Sequence, residues 1–242
     1  MSWFHNWFDS KYYHILYKDR DDDEASLLID HIINKFNFNK STFFLDLGCG
    51  NGRHSVHLNK QGYNVDGIDL SKKSIASALK HTNDTLKFNI QDMRSMNYNN
   101  KYDVVLNLFT SFGYFDDDND NLKVFNNVET SLKKNGYFII DFFNSDKVIK
   151  PLPLSEIKII NGIRFKINKT YDKNFVYKHI SIADKKNQYI FTEKVRLINK
   201  QDFINYANQT NMELIYTFGD YMLSEFNSII SERLILVFKK KN

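Results

Sequence analysis

Ala25, Leu28, Ile29, Ile32, Ile33 and Phe36 recur at the spacing of one helix face, and the acidic run Asp21 to Glu24 suits the positive end of that helix. The apolar pattern then shortens. Phe43 to Leu47 and Tyr63 to Ile68 are brief apolar runs, the first ending in glycines and the second in Asp69, as strands buried on both faces do. A helix over Arg53 to Gln61 joins them. Ser71 is placed to cap a helix over Lys72 to Lys80, Leu86 to Ile90 reads as a third strand and Tyr102 to Leu108 as a fourth. Asn121 to Leu132 reads as helix, Lys134-Asn135-Gly136 as a turn and Tyr137 to Phe142 as a fifth strand. Strand and helix thus alternate from Thr42 to Asn144, which predicts an α/β fold with a parallel, doubly wound sheet and right-handed crossovers.

Beyond Pro151 the period changes. Extended segments near Ile157 to Thr170, Phe175 to Ala183 and Tyr189 to Leu197 are separated by Asp172-Lys173-Asn174 and Asp184-Lys185-Lys186-Asn187, which read as hairpin turns. An antiparallel β insertion after the fifth strand is expected. A helix over Lys200 to Gln209 and strands over Met212 to Phe218 and Arg233 to Phe238 return to the main sheet. The expected organisation is an N-terminal helical lid over residues 1–40, a ligand-binding domain over 41–150 and 197–242, and the insertion over 151–196 as an acceptor-site subdomain.

At 242 residues with 42% hydrophobic and 26% charged positions, the composition is that of one folded domain with a modest appendage. A net charge of +4 is spread along the chain, except for Lys239 to Lys241, which argues against a nucleic-acid surface and leaves monomer or homodimer open. The single Cys49 has no disulfide partner in the chain and no metal-ligand spacing around it, which fits a reducing compartment. No apolar run approaches a bilayer span, so a cytoplasmic, membrane-free protein is expected.

Leu45-Asp46-Leu47-Gly48-Cys49-Gly50-Asn51-Gly52 ends a strand and opens a helix, so bare backbone can approach a ligand there or can simply turn tightly. Asp69, at the end of the next strand, can accept from both ribose hydroxyls or can cap the following helix. Asp92 and Met93, after the third strand, can meet an adenine amino group and ring. GxGxG spacing and an acid at Asp92 argue against a nicotinamide-dependent oxidoreductase.

In these three segments, Leu45 to Gly52, Gly67-Ile68-Asp69-Leu70-Ser71 and Gln91-Asp92-Met93-Arg94, the chain resembles the class I S-adenosylmethionine-dependent methyltransferases. Around Leu108-Phe109-Thr110-Ser111-Phe112-Gly113-Tyr114 it is similar to bacterial small-molecule members such as amino-sugar N-methyltransferases. The resemblance implies a Rossmann-like seven-stranded sheet in the order 3-2-1-4-5-7-6 with the last strand antiparallel. It implies S-adenosylmethionine as cofactor, with Asp46, Gly48, Cys49 and Gly50 toward its methionine end, Asp69 and Leu70 at the ribose, and Gln91, Asp92 and Met93 at the adenine. Leu108 and Phe109 would approach the sulfonium, with Tyr17 and Arg20 contributed by the lid. The reaction implied is in-line methyl transfer to a nitrogen or oxygen of a small-molecule acceptor. Tyr114, Tyr13 and His14 are the candidate catalytic side chains. His54 is expected to face outward or to serve the structure. The alternatives are an RNA-directed methyltransferase and a noncatalytic S-adenosylmethionine-binding protein; the absence of an Asn-Pro-Pro-Tyr segment after the fourth strand argues against methylation of DNA adenine.

Overall fold

A computed structural model describes residues 3–18 and 22–242. Short helices α1 (Trp3–Phe8) and α2 (Lys11–Leu16) precede α3 (Asp22–Phe36), whose apolar face buries Ala25, Leu28, Ile29 and Ile32. The alternating region then follows as β1 (Phe43–Leu47), α4 (Arg53–Lys60), β2 (Asn64–Asp69), α5 (Lys72–Ala78), β3 (Leu86–Ile90), β4 (Tyr102–Asn107), α6 (Asp118–Ser131) and β5 (Leu132–Phe143). A one-turn helix α7 (Ser145–Val148) leads to β6 (Leu154–Ile160), β7 (Ile163–Tyr171), β8 (Phe175–Asp184) and β9 (Asn187–Arg196). The chain closes with α8 (Lys200–Asn208), β10 (Met212–Phe218) and β11 (Arg233–Lys240).

The large sheet runs β10-β11-β5-β4-β1-β2-β3, and β11 is antiparallel to β5, so the strand order and the reversed last strand are those expected. Alternation along each strand sends side chains to two opposite layers. Phe44, Val65, Val104, Leu106 and Ile139 pack toward α3, α4 and α5, while Leu45, Leu47, Val105, Phe138 and Ile140 pack toward α6 and α8. Ser71 caps α5 as its position predicts, its hydroxyl accepting from the Ser74 N–H at 3.1 Å. Asn135 keeps the turn conformation (φ 60°), but the turn lies inside a single irregular β5, where the register with β4 jumps from Tyr102/Leu132 to Val104/Tyr137.

The insertion differs from expectation in one respect. It holds four antiparallel strands in the order β6-β7-β8-β9, because the segment read as one extended run from Ile157 to Thr170 folds back at Asn161-Gly162. Both residues have positive φ (52° and 75°), the requirement of a two-residue hairpin turn that Asn-Gly meets best. The inner face of this sheet, Phe165, Ile167, Ile180 and Ile182, does not touch the large sheet's core. It packs on Trp7, Tyr12 and Leu16 of α1 and α2. Trp7 is fully buried against the Phe191 ring (centroids 4.7 Å) and donates from Nε1 to Glu193 at 2.7 Å. Tyr12 donates to Asp184 at 3.0 Å. Among the described residues no helix is long and apolar enough to cross a membrane.

Because Trp7 fills the joint between the N-terminal segment and the insertion, Trp7→Ala is expected to destabilise the protein by about 3–5 kcal/mol. Urea unfolding should show a lower midpoint; an unchanged midpoint would mean that the two elements are not packed as described.

Candidate functional site

Along the carboxyl ends of β1, β2, β3 and β4, where doubly wound sheets hold ligands, a cavity of about 560 Å³ lies beneath α1 and α2. Its floor includes Gly48, Cys49, Gly50, Asp69, Leu70, Gln91, Met93, Leu108 and Phe109; its roof includes Tyr13, His14 and Tyr17; and Tyr114 stands in its wall. Thirteen of the residues singled out in the sequence are thus on one surface; Asp46 and Asp92 lie off it, and Arg20 lies outside the described residues.

The three loop glycines all have positive φ, but their side-chain positions meet different surroundings. A Cβ on Gly48 would stand 2.7 Å from the Ser111 Cβ, and one on Gly52 would stand 2.6 Å from Phe88, so both positions are closed by packing. Gly50 has nothing within 4 Å: its space is the cavity itself. The N–H groups of Gly48 and Cys49 both donate to the Ile68 carbonyl, at 2.8 and 3.1 Å, which ties the loop to the end of β2.

Asp69 holds that junction from below. Its Oδ2 accepts from the Gly50 N–H at 2.9 Å and its Oδ1 from the Ser71 N–H at 2.7 Å, and the residue lines the cavity. Burial raises its pKa above the ordinary carboxylate value, against the pull of these two bonds. The cap of α5 is Ser71, so Asp69 does not serve as the N-cap. Asp46 lies one layer deeper, 1% exposed, accepting from the Ser55 hydroxyl at 2.6 Å; burial pushes its pKa up to about 6. It supports the loop from beneath the cavity wall. Asp92 is also turned away. Its carboxylate is gripped by Arg94 through Nε (3.1 Å) and Nη2 (2.6 Å), and although burial opposes it, Arg94 holds the pKa below the usual range. Gln91 and Met93 therefore carry the wall at this end, with Gln91 accepting from the Tyr98 hydroxyl at 2.7 Å.

Phe109 and Thr110, one residue beyond the end of β4, both sit in the left-handed region (φ 55° and 61°), a strained state that costs on the order of 1–3 kcal/mol each. The surroundings that impose it centre on Asp141, 0% exposed at the end of β5. Its side chain accepts from the Phe109 N–H (2.8 Å), from Arg233 Nε (2.7 Å) and from the Tyr221 hydroxyl (3.2 Å), and its carbonyl accepts from the Thr110 N–H (3.0 Å). Phe109 then stacks on Tyr221 at 5.2 Å. The Tyr114 hydroxyl donates to the Thr110 carbonyl, while its ring meets Trp3 and Phe8 at 5.8 and 5.4 Å. Tyr114 therefore fixes the loop and presents its ring to the cavity. Tyr17 likewise donates its hydroxyl to Glu193 at 2.6 Å and offers ring surface.

Two imidazoles were differently placed. His14 lines the roof with a buried Nε2 that has no hydrogen-bond partner among the described residues; burial first, then Lys73, lowers its pKa, with Asp9 opposing. His54 was expected to face outward or to serve the structure. It does not face outward: it is 4% exposed on the cavity wall, its ring 4.9 Å from Phe109 and its Nε2 also without a partner among the described residues. Burial, then the charge on Arg53, pulls its pKa down to about 3, so it is neutral at pH 7. Asn144, by contrast, caps α7 and donates to the Ser228 and Ser231 carbonyls, and His179 contacts Thr170 and Thr192 within the insertion sheet; neither lines the cavity. Sequence reasoning also missed Asp9, whose carboxylate accepts from the Ser71 hydroxyl at 2.7 Å and fastens the roof to the start of α5.

Residues 38–224 match a family model described as a methyltransferase domain. The chain belongs to this methyltransferase family. Its strand order is that of the class I members, which use S-adenosylmethionine as methyl donor. The chain is 32% identical over 112 residues to the putative methyltransferase YqeM of Bacillus subtilis, covering 45% of each chain. It is 30% identical over 105 residues to the dTDP-3-amino-3,4,6-trideoxy-alpha-D-glucopyranose N,N-dimethyltransferase of Streptomyces venezuelae, covering 42% of this chain and 43% of that one. The match thus spans less than half the length of these curated relatives. A solved S-adenosylmethionine-dependent methyltransferase from Clostridium acetobutylicum superimposes with a TM-score of 0.80 at 21% identity, over 96% of each chain, and so shares the fold. The wall fits this cofactor: a carboxylate with spare acceptors at Asp69, open space at Gly50, apolar faces at Leu70 and Met93, and an unpartnered nitrogen at His54.

An imidazole held neutral in the folded state but free to protonate near pH 6.5 when unfolded subtracts stability as pH falls below that value. For His54 the loss extends down toward its folded value of about 3. His54→Phe removes this linkage. In urea unfolding at pH 8 and pH 5, the stability difference between variant and parent is expected to move in the variant's favour at pH 5; a pH-independent difference would contradict the buried, neutral assignment.

Proposed function

We propose that the protein transfers a methyl group from S-adenosylmethionine to a nitrogen or oxygen atom of a small molecule held between the cofactor and the N-terminal roof. The observation that carries this reading is the continuity of the cavity: the chamber floored by Gly50 and Asp69 runs without a partition to a wall of Phe4, Phe8, Tyr13, Tyr114 and Phe115. A chamber of about 560 Å³ is of the size that holds a cofactor with a small partner molecule, and Phe4, Phe8, Tyr13 and His14 of α1 and α2 cover one side of it. An RNA acceptor would need an open basic face instead. The sugar amine named for the Streptomyces venezuelae relative is consistent with an amine acceptor.

Bound in the chamber, S-adenosylmethionine supplies an electrophilic methyl group on a sulfonium. In this reading Asp69 accepts from the ribose hydroxyls, Leu70, Gln91 and Met93 hold the adenine, and the backbone at Gly48 to Gly50 meets the amino-acid end. Leu108 and Phe109, fixed by Asp141, orient the reacting centre, since alignment and exclusion of water account for much of the rate in such displacements. The aromatic wall tolerates a cationic centre. The roof covers the reacting centre, and His14 takes the proton that an amine or hydroxyl acceptor sheds, because its lowered pKa keeps the imidazole neutral at pH 7.

The test is methyl transfer from labelled S-adenosylmethionine to a panel of amines, alcohols and RNA. Small amines or alcohols are expected to be labelled; labelling of RNA alone would overturn the small-molecule reading. With the best acceptor, Asp69→Ala is expected to abolish cofactor binding, and Tyr114→Phe to spare binding while slowing transfer. His14→Phe should slow transfer by about a hundredfold or more. Only the neutral imidazole accepts a proton, so the parent rate should fall on acidification, with the limb below the ordinary histidine value of about 6.5, and the variant should lack that limb. A variant with the parent's rate and pH profile would remove His14 from the proton path.

A further inference from the structure

We propose that β6, the open edge of the insertion sheet, is a self-complementary interface at which two copies of this chain pair antiparallel about a two-fold axis at Ile157. Their four-stranded sheets then join into one continuous sheet. No residue of this edge lines the cavity, so the pairing leaves the ligand chamber of each copy free.

The order β6-β7-β8-β9 leaves two outer strands, but they differ in what covers them. β9 is fastened to the rest of the chain by the Arg196 N–H, which donates to the Gly113 carbonyl at 2.8 Å, and by Trp7 against Phe191. Among the described residues the main chain of Leu154–Ile160 bonds only to β7. The two-residue turn at Asn161-Gly162 makes Ile160 and Ile163 a hydrogen-bonded pair. By alternation the main-chain groups of Leu154, Glu156 and Lys158 point at β7, and those of Ser155, Ile157 and Ile159 point at the open edge. Ile157 and Ile159 are 52% and 74% exposed, so the edge combines unused donors and acceptors with apolar side chains, which is a template for another strand.

The charge pattern selects a second copy as that strand and fixes its register. Main-chain bonds form only where outward-pointing residues face one another, so the axis falls on a residue and not between two. With the axis at Ile157, Glu156 lies opposite the partner's Lys158 and Lys158 opposite the partner's Glu156, while Leu154 faces Ile160 and Ser155 faces Ile159. Moving the axis by one residue sets Glu156 against Glu156, or Lys158 against Lys158, and like charges directly opposite are destabilising. Pro153 and Asn161, where β6 stops, stand equally far from Ile157, so the pairing closes at both ends together. A lone charge on an edge strand would blunt it; an acid and a base two positions apart complement their own copy instead. Within one chain Glu156 is 3.5 Å from Lys169 and 3.9 Å from Lys158, longer than a direct charge-assisted bond, so its carboxylate is free to turn across the edge.

The test is sedimentation equilibrium of the full chain at concentrations up to about 100 μM, because so short an edge falls below a standard interface and predicts a reversible dimer of micromolar dissociation constant. Ile157→Pro removes the N–H donor on the axis, leaves the bonds to β7 in place, and is expected to give a monomer. Glu156→Lys and Lys158→Glu each set like charges opposite one another and are expected to weaken the dimer about tenfold or more. Mixing these two variants in equal amounts, or combining both substitutions in one chain, is expected to restore it. Unfolding midpoints in urea check that each variant keeps the fold. A parent chain that stays monomeric at about 100 μM overturns the proposal. So does a dimer indifferent to Ile157→Pro, or one that the charge swaps leave unchanged or that the mixture does not rescue.

Discussion

The burial of Trp7 against the insertion sheet is the contact on which the roof of the cavity depends. The four-stranded insertion turns an apolar face toward the domain without reaching its core, and an uncovered face of Phe165, Ile167, Ile180 and Ile182 would be exposed to water. The N-terminal helices fill that gap. In doing so they place Phe4, Phe8, Tyr13 and His14 over the carboxyl ends of the strands, so the residues that complete the hydrophobic packing of the insertion also roof the ligand chamber. Glu193 reinforces the arrangement by accepting from both Trp7 and Tyr17, at 2.7 and 2.6 Å. The cover of the cavity and the stability of the fold are therefore linked through one segment.

A second constraint works from below. The fourth-strand loop must bring Leu108 and Phe109 toward the cavity through two consecutive residues in a disfavoured conformation. Asp141 and Arg233, 92 positions apart in sequence and joined by the antiparallel pairing of β5 with β11, hold it there. The reversed last strand thus does more than extend the sheet: it delivers the arginine that balances a fully buried carboxylate.

How much of this was legible in the sequence depended on how local the cause was. The strand at Phe43–Leu47, the cap at Ser71 and the acid at Asp69 follow from neighbours a few residues away, and the large-sheet order followed from a resemblance carried by three such segments. The fourth insertion strand was equally local, since Asn161-Gly162 is a strong hairpin signal, but it lay inside an apolar run that reads as continuous. The remaining differences come from contacts that no spacing reports. Asp92 is claimed by Arg94 two positions on and does not reach the cavity, while Asp46 supports the loop through Ser55 from beneath. His54, on the first turn of α4, is buried against the Phe109 ring, a contact 55 positions away in sequence.

The central claim is that this chamber is built for an adenosine sulfonium cofactor, and calorimetric titration with S-adenosylhomocysteine and with NAD tests it most directly. The account predicts saturable one-to-one binding of S-adenosylhomocysteine and no heat with NAD. Binding of NAD with no response to S-adenosylhomocysteine would contradict it, leaving the fold in place and the assignment of the site wrong.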